Sequence, residues 1–256
     1  MLIEDIKIWL HQGQQFIKDI DAAQVPAPFR GRPILSQEGL SAEIGEELKN
    51  LCPTAAIELN PLSLDLGKCV FCGECAQYYP QHVQFSNDHR IGSNSREALI
   101  IKANDSSAIQ INPELIRKEI MGIFGSSLKL RQISAAGDNS HEAELNACGN
   151  VNFDMGRFGV EFVASPRHAD GIVITGPISE NMALATKICY EAVPKPSIVV
   201  LCGTDAISGG IFAGSGAVQR KFLEEVPIDL YVPGNPAHPL TFIQAILALT
   251  RKRTNQ

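Results

Sequence analysis

The sequence predicts an α/β protein in which a small α+β domain precedes a doubly wound parallel sheet. After about residue 113, apolar runs alternate with amphipathic segments, and before that point a cysteine-rich stretch lies among short apolar segments. A chain of 256 residues with 45% hydrophobic content can bury two cores. We therefore expect a helix and linker over residues 1–33, a cysteine-containing domain over 34–112 and an α/β domain over 113–256.

The first segment, residues 2–20, has apolar side chains close to helical spacing, including Leu2, Ile6, Leu10 and Ile17. This pattern predicts an amphipathic helix that packs against the rest of the protein. Several prolines between residues 26 and 33 then interrupt the chain and indicate a linker.

Three cysteines of the next segment follow the spacing Cys-x-x-Cys-x-x-Cys: Cys69, Cys72 and Cys75, with Cys52-Pro53 upstream. This spacing is typical of iron-sulfur ferredoxins, in which thiolates bind the cluster iron. The segment, which ends near a short strand over residues 98–102, is therefore predicted to be a ferredoxin-like α+β domain with one 4Fe-4S cluster. Two alternatives remain open, namely a zinc site, since four thiolates also suit zinc, and no metal.

A second cluster is predicted to be absent. In a two-cluster ferredoxin each motif gives its fourth, Cys-Pro, ligand to the other cluster. Tyr79 stands at that fourth place here, and the first three places of the earlier motif fall on Ala42, Gly45 and Leu48. The missing ligands are those of a single cluster, so the loss is selective.

The C-terminal half has five apolar runs suited to buried parallel strands, at residues 128–133, 160–163, 171–175, 198–202 and 228–232. Residues 179–192 and 239–250 are predicted amphipathic helices, and this alternation favours a doubly wound sheet. The loops 135–141, 203–210 and 233–236 each follow a strand. We expect them to converge at the carboxyl edge, where ligands of such sheets bind.

Three motifs occur in order in this half, at residues 158–170 (beginning Phe-Gly-Val-Glu-Phe), 208–212 (Ser-Gly-Gly-Ile-Phe) and 226–236 (ending Val-Pro-Gly-Asn-Pro). Together they resemble the small subunit of energy-converting nickel-iron hydrogenases and formate hydrogenlyase. That subunit is related to the complex I subunit that holds the terminal iron-sulfur cluster before quinone. The resemblance covers about residues 128–249 and implies a flavodoxin-like sheet.

In that family four cysteines of these loops bind the proximal 4Fe-4S cluster. The resemblance places Asp138, His141, Asp205 and Asn235 at those positions. Iron-sulfur iron needs soft thiolate ligands, so it implies an empty proximal site. The alternative is a harder divalent metal held by these four residues, because carboxylate, imidazole and carbonyl oxygen suit several such ions.

The function that the resemblance implies is that of an iron-sulfur subunit in a membrane-associated hydrogenase-like or complex I-like assembly. With no catalytic residue identified, we expect a structural or peripheral electron-transfer role and no catalysis by this chain alone. Two alternatives remain: an active electron-transferring oxidoreductase subunit of the hydrogenase or quinone reductase type, and a purely structural scaffold. Expected partners are a large subunit, membrane subunits reached through the complex, and a ferredoxin or other electron carrier.

Composition and charge indicate in which compartment the protein works and which classes of partner it can bind. The net charge of -6 and a pI near 5.5 give no basic patch for nucleic acid. No segment has the pattern of a signal peptide or a membrane span, and an odd number of cysteines fits a reducing compartment. We expect a cytoplasmic protein that reaches the cytoplasmic face of a membrane through partner subunits. His82 and His89 have no ligand spacing and are expected at the surface.

Overall fold

The computed structural model describes residues 2–13, 15–125 and 127–250. Its first part carries short elements around the cysteines. They are α1 (Leu2–Gln12), β1 (Pro33–Leu35), α2 (Ala42–Leu51), β2 (Ile57–Glu58), β3 (Ser63–Asp65), α3 (Glu74–Tyr78), β4 (Val83–Phe85) and β5 (Ile100–Lys102).

The second part alternates strands with helices. Its elements are β6 (Leu128–Ser134), α4 (Ser140–Ala147), β7 (Val160–Phe162), β8 (Gly171–Thr175), α5 (Glu180–Glu191), β9 (Ile198–Cys202), α6 (Thr204–Ser208), α7 (Phe222–Glu225), β10 (Leu230–Val232) and α8 (Pro239–Thr250).

Strands β6 to β10 form a five-stranded parallel sheet in the order β7-β6-β8-β9-β10 within the described residues. Counted along the chain, this order is that of flavodoxin-like folds, with the switch point between the first and third strands. The predicted α/β fold class is therefore confirmed for this half. The carboxyl ends of β6, β8 and β9 meet at one edge, where the loops described below lie.

The sheet buries both faces, because successive side chains of a strand point to opposite sides. Val173 and Val200 belong to one core together with Phe242 of α8. Ile172 and Ile174 belong to the other core, which also contains Leu48 and Leu64 of the cysteine-containing part. The two halves of the chain therefore share a continuous hydrophobic core on one face of the sheet.

The cysteine-containing part is built from two small antiparallel sheets. Strand β1 pairs with β4, and β3 pairs with both β2 and β5. Ser41 caps α2, since its side chain accepts a hydrogen bond from the backbone N–H of Ile44. Whether this arrangement is that of a ferredoxin, and where its boundaries lie, stay predictions.

Several element bounds differ from the sequence expectation. Helix α1 ends at Gln12, followed by Gly13 in the left-handed region, so Ile17 lies outside it. None of the α1 residues is buried, and the expectation that this helix packs was wrong. A short 3₁₀ turn at Glu97–Leu99 takes the first half of the predicted strand at residues 98–102.

None of the helices in the described residues is both long and apolar enough to cross a membrane.

Candidate cluster site and the adjoining sheet edge

The four motif cysteines line one cavity of about 320 Å³, counted with its opening to solvent, although Cys52 is distant from the others in sequence. Cys52 follows α2, Cys69 and Cys72 lie in the loop after β3, and Cys75 is in α3. The walls between them are mainly apolar, with Ala56, Ile57, Leu64 and Phe85 among them. All four thiols are free.

Backbone N–H groups contact two of these sulfurs. Ala56 N donates to Cys52 Sγ at 3.2 Å, and Phe71 N donates to Cys69 Sγ at 3.3 Å. Such bonds stabilise negative charge on sulfur and tune the potential of iron-sulfur sites. Ala55 and Phe71 both have positive φ, a conformation that costs such residues about 1–3 kcal/mol each. This strain coincides with the segments that carry the two donors.

Burial shapes the acid-base behaviour of the thiols. It raises the pKa of Cys75 to about 11, with further increases from Cys72 and Cys52. The pKa of Cys69 is raised further by its deeper burial, against a smaller lowering by the Phe71 N–H. Without a cation Cys69 and Cys75 stay protonated at neutral pH. A metal centre that binds them must displace protons and supply positive charge.

The four motif cysteines place soft thiol donors around one cavity. No group of three or more His, Cys, Asp or Glu side chains in the described parts of the chain is close enough to hold a single metal ion. The four cysteines surround a cavity instead. In a 4Fe-4S cluster each thiolate binds a different iron, so the ligands must enclose a volume. The donor set and its placement fit such a group.

The four positions at which the sequence predicts the loss of second-cluster ligands lie in α2 or directly after α3. Ala42, Gly45 and Leu48 are all in α2, and Leu48 is fully buried in the core. Tyr79 follows α3, and its hydroxyl donates a hydrogen bond to Glu47 of α2. The Tyr79–Glu47 hydrogen bond therefore joins the end of α3 to α2.

Two basic residues hold the cysteine loop. Arg96 donates to both carboxylate oxygens of Asp65, at 2.7 and 2.6 Å, and Asp65 Oδ1 also accepts from Gly67 N. Arg30 Nη1 donates to the carbonyl oxygen of Phe71 at 3.0 Å. Bidentate Arg–carboxylate pairs fix the relative orientation of the two side chains and also stabilise the fold. The cysteine loop is therefore held by Arg96 at Asp65, just before it, and by Arg30 at Phe71, within it.

The cysteine loop lies against the carboxyl edge of the parallel sheet. Thr204, at the start of α6, is fully buried, and its hydroxyl donates to the carbonyl oxygen of Cys69 at 2.7 Å. The same hydroxyl lies 3.2 Å from the carbonyl oxygen of Gly234 in the loop after β10. Sequence analysis missed Thr204, because a hydroxyl that binds a distant backbone carbonyl leaves no local pattern.

At this edge the predicted loops converge. His141 is buried in α4, and its Nε2 lies 3.4 Å from the carbonyl oxygen of Gly234, next to Asn235. Burial raises the pKa of Asp205; His141 acts against this increase, and Asp138 adds to it. Asp138, His141 and Asp205 therefore interact, whereas Asn235 is linked to them through its neighbour's backbone.

The side chains of His141 and Asp205 are packed closely against the loop backbone. A Cβ added to Gly203 would lie 1.8 Å from His141 Nε2, and one added to Gly210 would lie 1.9 Å from Asp205 Oδ1. Gly203 and Gly210 both have positive φ, which only glycine adopts freely. The imidazole and the carboxylate thus occupy space directly over the two glycines.

Arg220 binds the backbone of the same loop. Sequence analysis missed this residue as well. Its guanidinium donates to the carbonyl oxygens of Pro177, Asp205, Ala206 and Ile207. Nearby, buried Glu142 accepts a hydrogen bond of 2.5 Å from Thr175 Oγ1. The loop is therefore held by hydrogen bonds from a distant side chain to its backbone carbonyls.

The other singled-out residues lie elsewhere. Cys148 and Cys202 are buried in the core under α8, and Cys189 is half-buried on α5. His168 is exposed. The expectation for His82 and His89 was wrong, because both are buried and bound to backbone carbonyls, those of Ser36 and Ile20 respectively.

Comparison with known proteins agrees with this architecture. The family described as NADH ubiquinone oxidoreductase, 20 Kd subunit, matches residues 139–249. An NADH-quinone oxidoreductase subunit of Citrifermentans bemidjiense is 40% identical over 113 residues, which are 44% of this chain and 66% of that protein. The probable membrane-bound hydrogenase subunit mbhJ of Pyrococcus furiosus is 29% identical over 134 residues, 52% of this chain and 80% of that one.

A chain of the membrane-bound sulfane sulfur reductase, an archaeal respiratory membrane complex, aligns over 51% of this chain and 72% of its own length, with 25% identity and a TM-score of 0.45. The chain covers just under two thirds of the length of the first NADH-quinone oxidoreductase relatives. The resemblance seen in the sequence is confirmed: residues 139–249 of this chain are similar to the complex I 20 kDa subunit, and the C-terminal half is also similar to a probable subunit of a membrane-bound hydrogenase.

Proposed function

We propose that this chain is an iron-sulfur subunit of a membrane-associated hydrogenase-like or complex I-like assembly, with one 4Fe-4S cluster and no proximal cluster. The observation that carries the proposal is the convergence of Cys52, Cys69, Cys72 and Cys75 on one cavity beside a sheet edge whose family cysteine positions hold other residues. When bound, such a cluster supplies one-electron transfer.

The chain's own residues would bind and shield that cluster. The four thiolates would hold it, the backbone N–H groups of Ala56 and Phe71 would stabilise charge on two sulfurs, and the apolar wall would limit water access. Cys72 is the exposed member of the set, which leaves one side of the site open to an electron donor or acceptor.

The sheet edge does not fit a cluster. Asp138, His141, Asp205 and Asn235 offer harder oxygen and nitrogen donors, and the imidazole and one carboxylate oxygen already occupy the space over Gly203 and Gly210. Arg220 stabilises this loop through its carbonyl oxygens. These contacts support a loop that has kept its fold after losing its cluster.

The decisive experiment is iron and sulfide analysis of the anaerobically purified full chain, with electron paramagnetic resonance before and after reduction. We expect about four iron and four sulfide per chain and a signal that appears on reduction. Zinc without sulfide would refute the proposal, and about eight iron would place a second cluster. A Cys72→Ser variant should lower the iron content or change the signal.

We propose that the cysteine site has either a peripheral electron-transfer role or a structural role. The activity of the complex assembled with its partner subunits distinguishes the two. The relatives are named as subunits, so we propose a large-subunit partner, membrane subunits reached through the complex, and a ferredoxin or similar carrier. On this proposal the chain works at the cytoplasmic face of a membrane. Full activity of a complex assembled with a cluster-free variant would favour the scaffold role, and loss of activity would favour electron transfer.

The harder-metal alternative has its own test. In a variant with all four motif cysteines replaced by serine, any stoichiometric metal must lie elsewhere, and Asp205→Ala should then release it. Absence of bound metal in that variant would end the alternative.

A further inference from the structure

A second cavity, of about 550 Å³ counted with its opening to solvent, lies between the cysteine loop and the loop after β10. We name it the inter-loop cavity and define it by Phe29, Arg30, Phe71, Asn235, His238 and Thr241. It is open to solvent on the side of Arg30, which is exposed. None of its lining residues is a carboxylate.

Thr241 gives the first sign that the inter-loop cavity receives a ligand. This residue is 1% exposed, and its Oγ1 has no hydrogen-bond partner among the described residues. A buried hydroxyl without a partner costs about 1–3 kcal/mol, so such groups are rare in folded proteins. A polar atom placed in the cavity would remove that cost.

Arg30 supplies the positive charge. One of its N–H groups binds the carbonyl oxygen of Phe71, and its guanidinium lies so close to Gly73 that an added Cβ there would be 2.5 Å from Arg30 Nε. A guanidinium has five N–H donors in a rigid plane, so other donors remain. The side chain is therefore held in place at the cavity while part of its fork is still available.

His238 and the N-terminal end of helix α8 also favour an anion in the inter-loop cavity. Leu240 N donates to His238 Nδ1 at 3.2 Å, so the neutral ring carries its proton on Nε2, where it can donate. Burial and the neighbouring His89 lower the pKa of His238 to about 4, which keeps the ring neutral at pH 7. Thr241 is in the first turn of α8, a helix of 12 residues, whose N-terminal end favours negative charge.

We propose that the inter-loop cavity binds a small monocarboxylate, with Arg30 and the Thr241 hydroxyl on its oxygens. A single cation lines the cavity, so a dianion such as phosphate would leave a charge uncompensated. The planar guanidinium matches a carboxylate with two oxygens. Phe29 and Phe71 form apolar walls for a short hydrocarbon part. This binding goes beyond the proposed redox role, and neither Arg30 nor Thr241, which would bind the carboxylate, is one of the four motif cysteines.

Isothermal titration calorimetry of the full chain with sodium acetate tests the proposal. The titration is run at pH 8, where phosphate is mainly a dianion, with phosphate as the competing anion and sodium chloride as the ionic-strength control. We expect saturable acetate binding and little binding of phosphate. Arg30→Gln and Thr241→Val should each weaken acetate binding about tenfold or more, because each removes a hydrogen bond to a charged group. Thr241→Ser, which keeps the hydroxyl, should bind as the parent does.

The matched control is Arg167→Gln, which removes an exposed positive charge that does not line this cavity and should leave acetate binding unchanged. Thr241→Val should not lower the thermal midpoint, since the hydroxyl has no partner among the described residues. No saturable acetate binding, tighter phosphate than acetate binding, or unchanged acetate affinity in Thr241→Val would each overturn the proposal.

Discussion

Thr204 lies at the contact between the cysteine loop and the sheet edge, and its hydroxyl reaches the Cys69 carbonyl at 2.7 Å. Replacement by Val keeps the shape but leaves a buried carbonyl without its donor. We expect Thr204→Val to lower the free energy of unfolding by about 1–3 kcal/mol. Urea denaturation measures this change. Thr204→Ser should keep most of the stability, and equal stability of the Val variant and the parent would contradict the assigned contact.

His238 gives a pH dependence with a defined sign. Burial lowers its folded-state pKa to about 4, below the ordinary value of 6.5, so the unfolded chain binds more protons between these values. Stability should therefore be fully present above about pH 6.5 and fall as the pH drops towards 4. The pKa of His89 is also lowered by burial, which acts in the same direction.

The expected loss from His238 is about 1–2 kcal/mol, reduced from the full linkage value because the ring is partly exposed. Denaturant unfolding at several pH values from 7.5 to 4.5 measures it. His238→Gln should flatten the curve over this range. His11→Gln is a suitable control, because His11 is exposed and lies on α1. An equally steep decline in His238→Gln would show that other groups cause it.

At the scale of elements, α1 is distinct because none of its residues is buried. Leu2, Ile6, Trp9 and Leu10 are between 48% and 75% exposed. We expect deletion of residues 2–12 to change the free energy of unfolding by no more than about 0.5 kcal/mol. Ile20, just beyond, is 0% exposed, and Ile20→Ala should cost about 2–5 kcal/mol. Thermal denaturation of the deletion variant and of Ile20→Ala measures both effects. A large loss of stability in the deletion variant would show that α1 packs against the rest of the protein.

The parallel strands were predictable because their apolar runs are long and buried on both faces, as in residues 171–175 and 198–202. The end of α1 was not predictable from the sequence, because the apolar spacing continues past Gly13 while the backbone turns there. Convergence of the edge loops followed from the rule that carboxyl ends of parallel strands meet. Thr204, Arg30 and Arg220 were missed because they bind backbone carbonyls distant in sequence, which no local pattern encodes.

For the whole molecule, the two halves share one core yet depend on the cysteine site to different degrees. Leu48 and Leu64 belong to the same core as Ile172 and Ile174, so unfolding of the cysteine-containing part would expose one face of the sheet. The sheet also has its own core under α8, which includes Val173, Val200 and Phe242. Metal binding contributes to folding where ligands come from separate segments, as Cys52 and Cys75 do.

We therefore expect Cys72→Ser to destabilise residues 34–110 more than the parallel sheet. Hydrogen–deuterium exchange with mass spectrometry should show faster exchange in peptides around α2 and α3, while peptides of β8 and β9 stay protected, because their amides are paired on both sides within the sheet. Cys189→Ser is the matched control, since Cys189 lies on α5 away from the cavity. Equal exchange in Cys72→Ser and the parent would mean that these residues fold without a bound cluster.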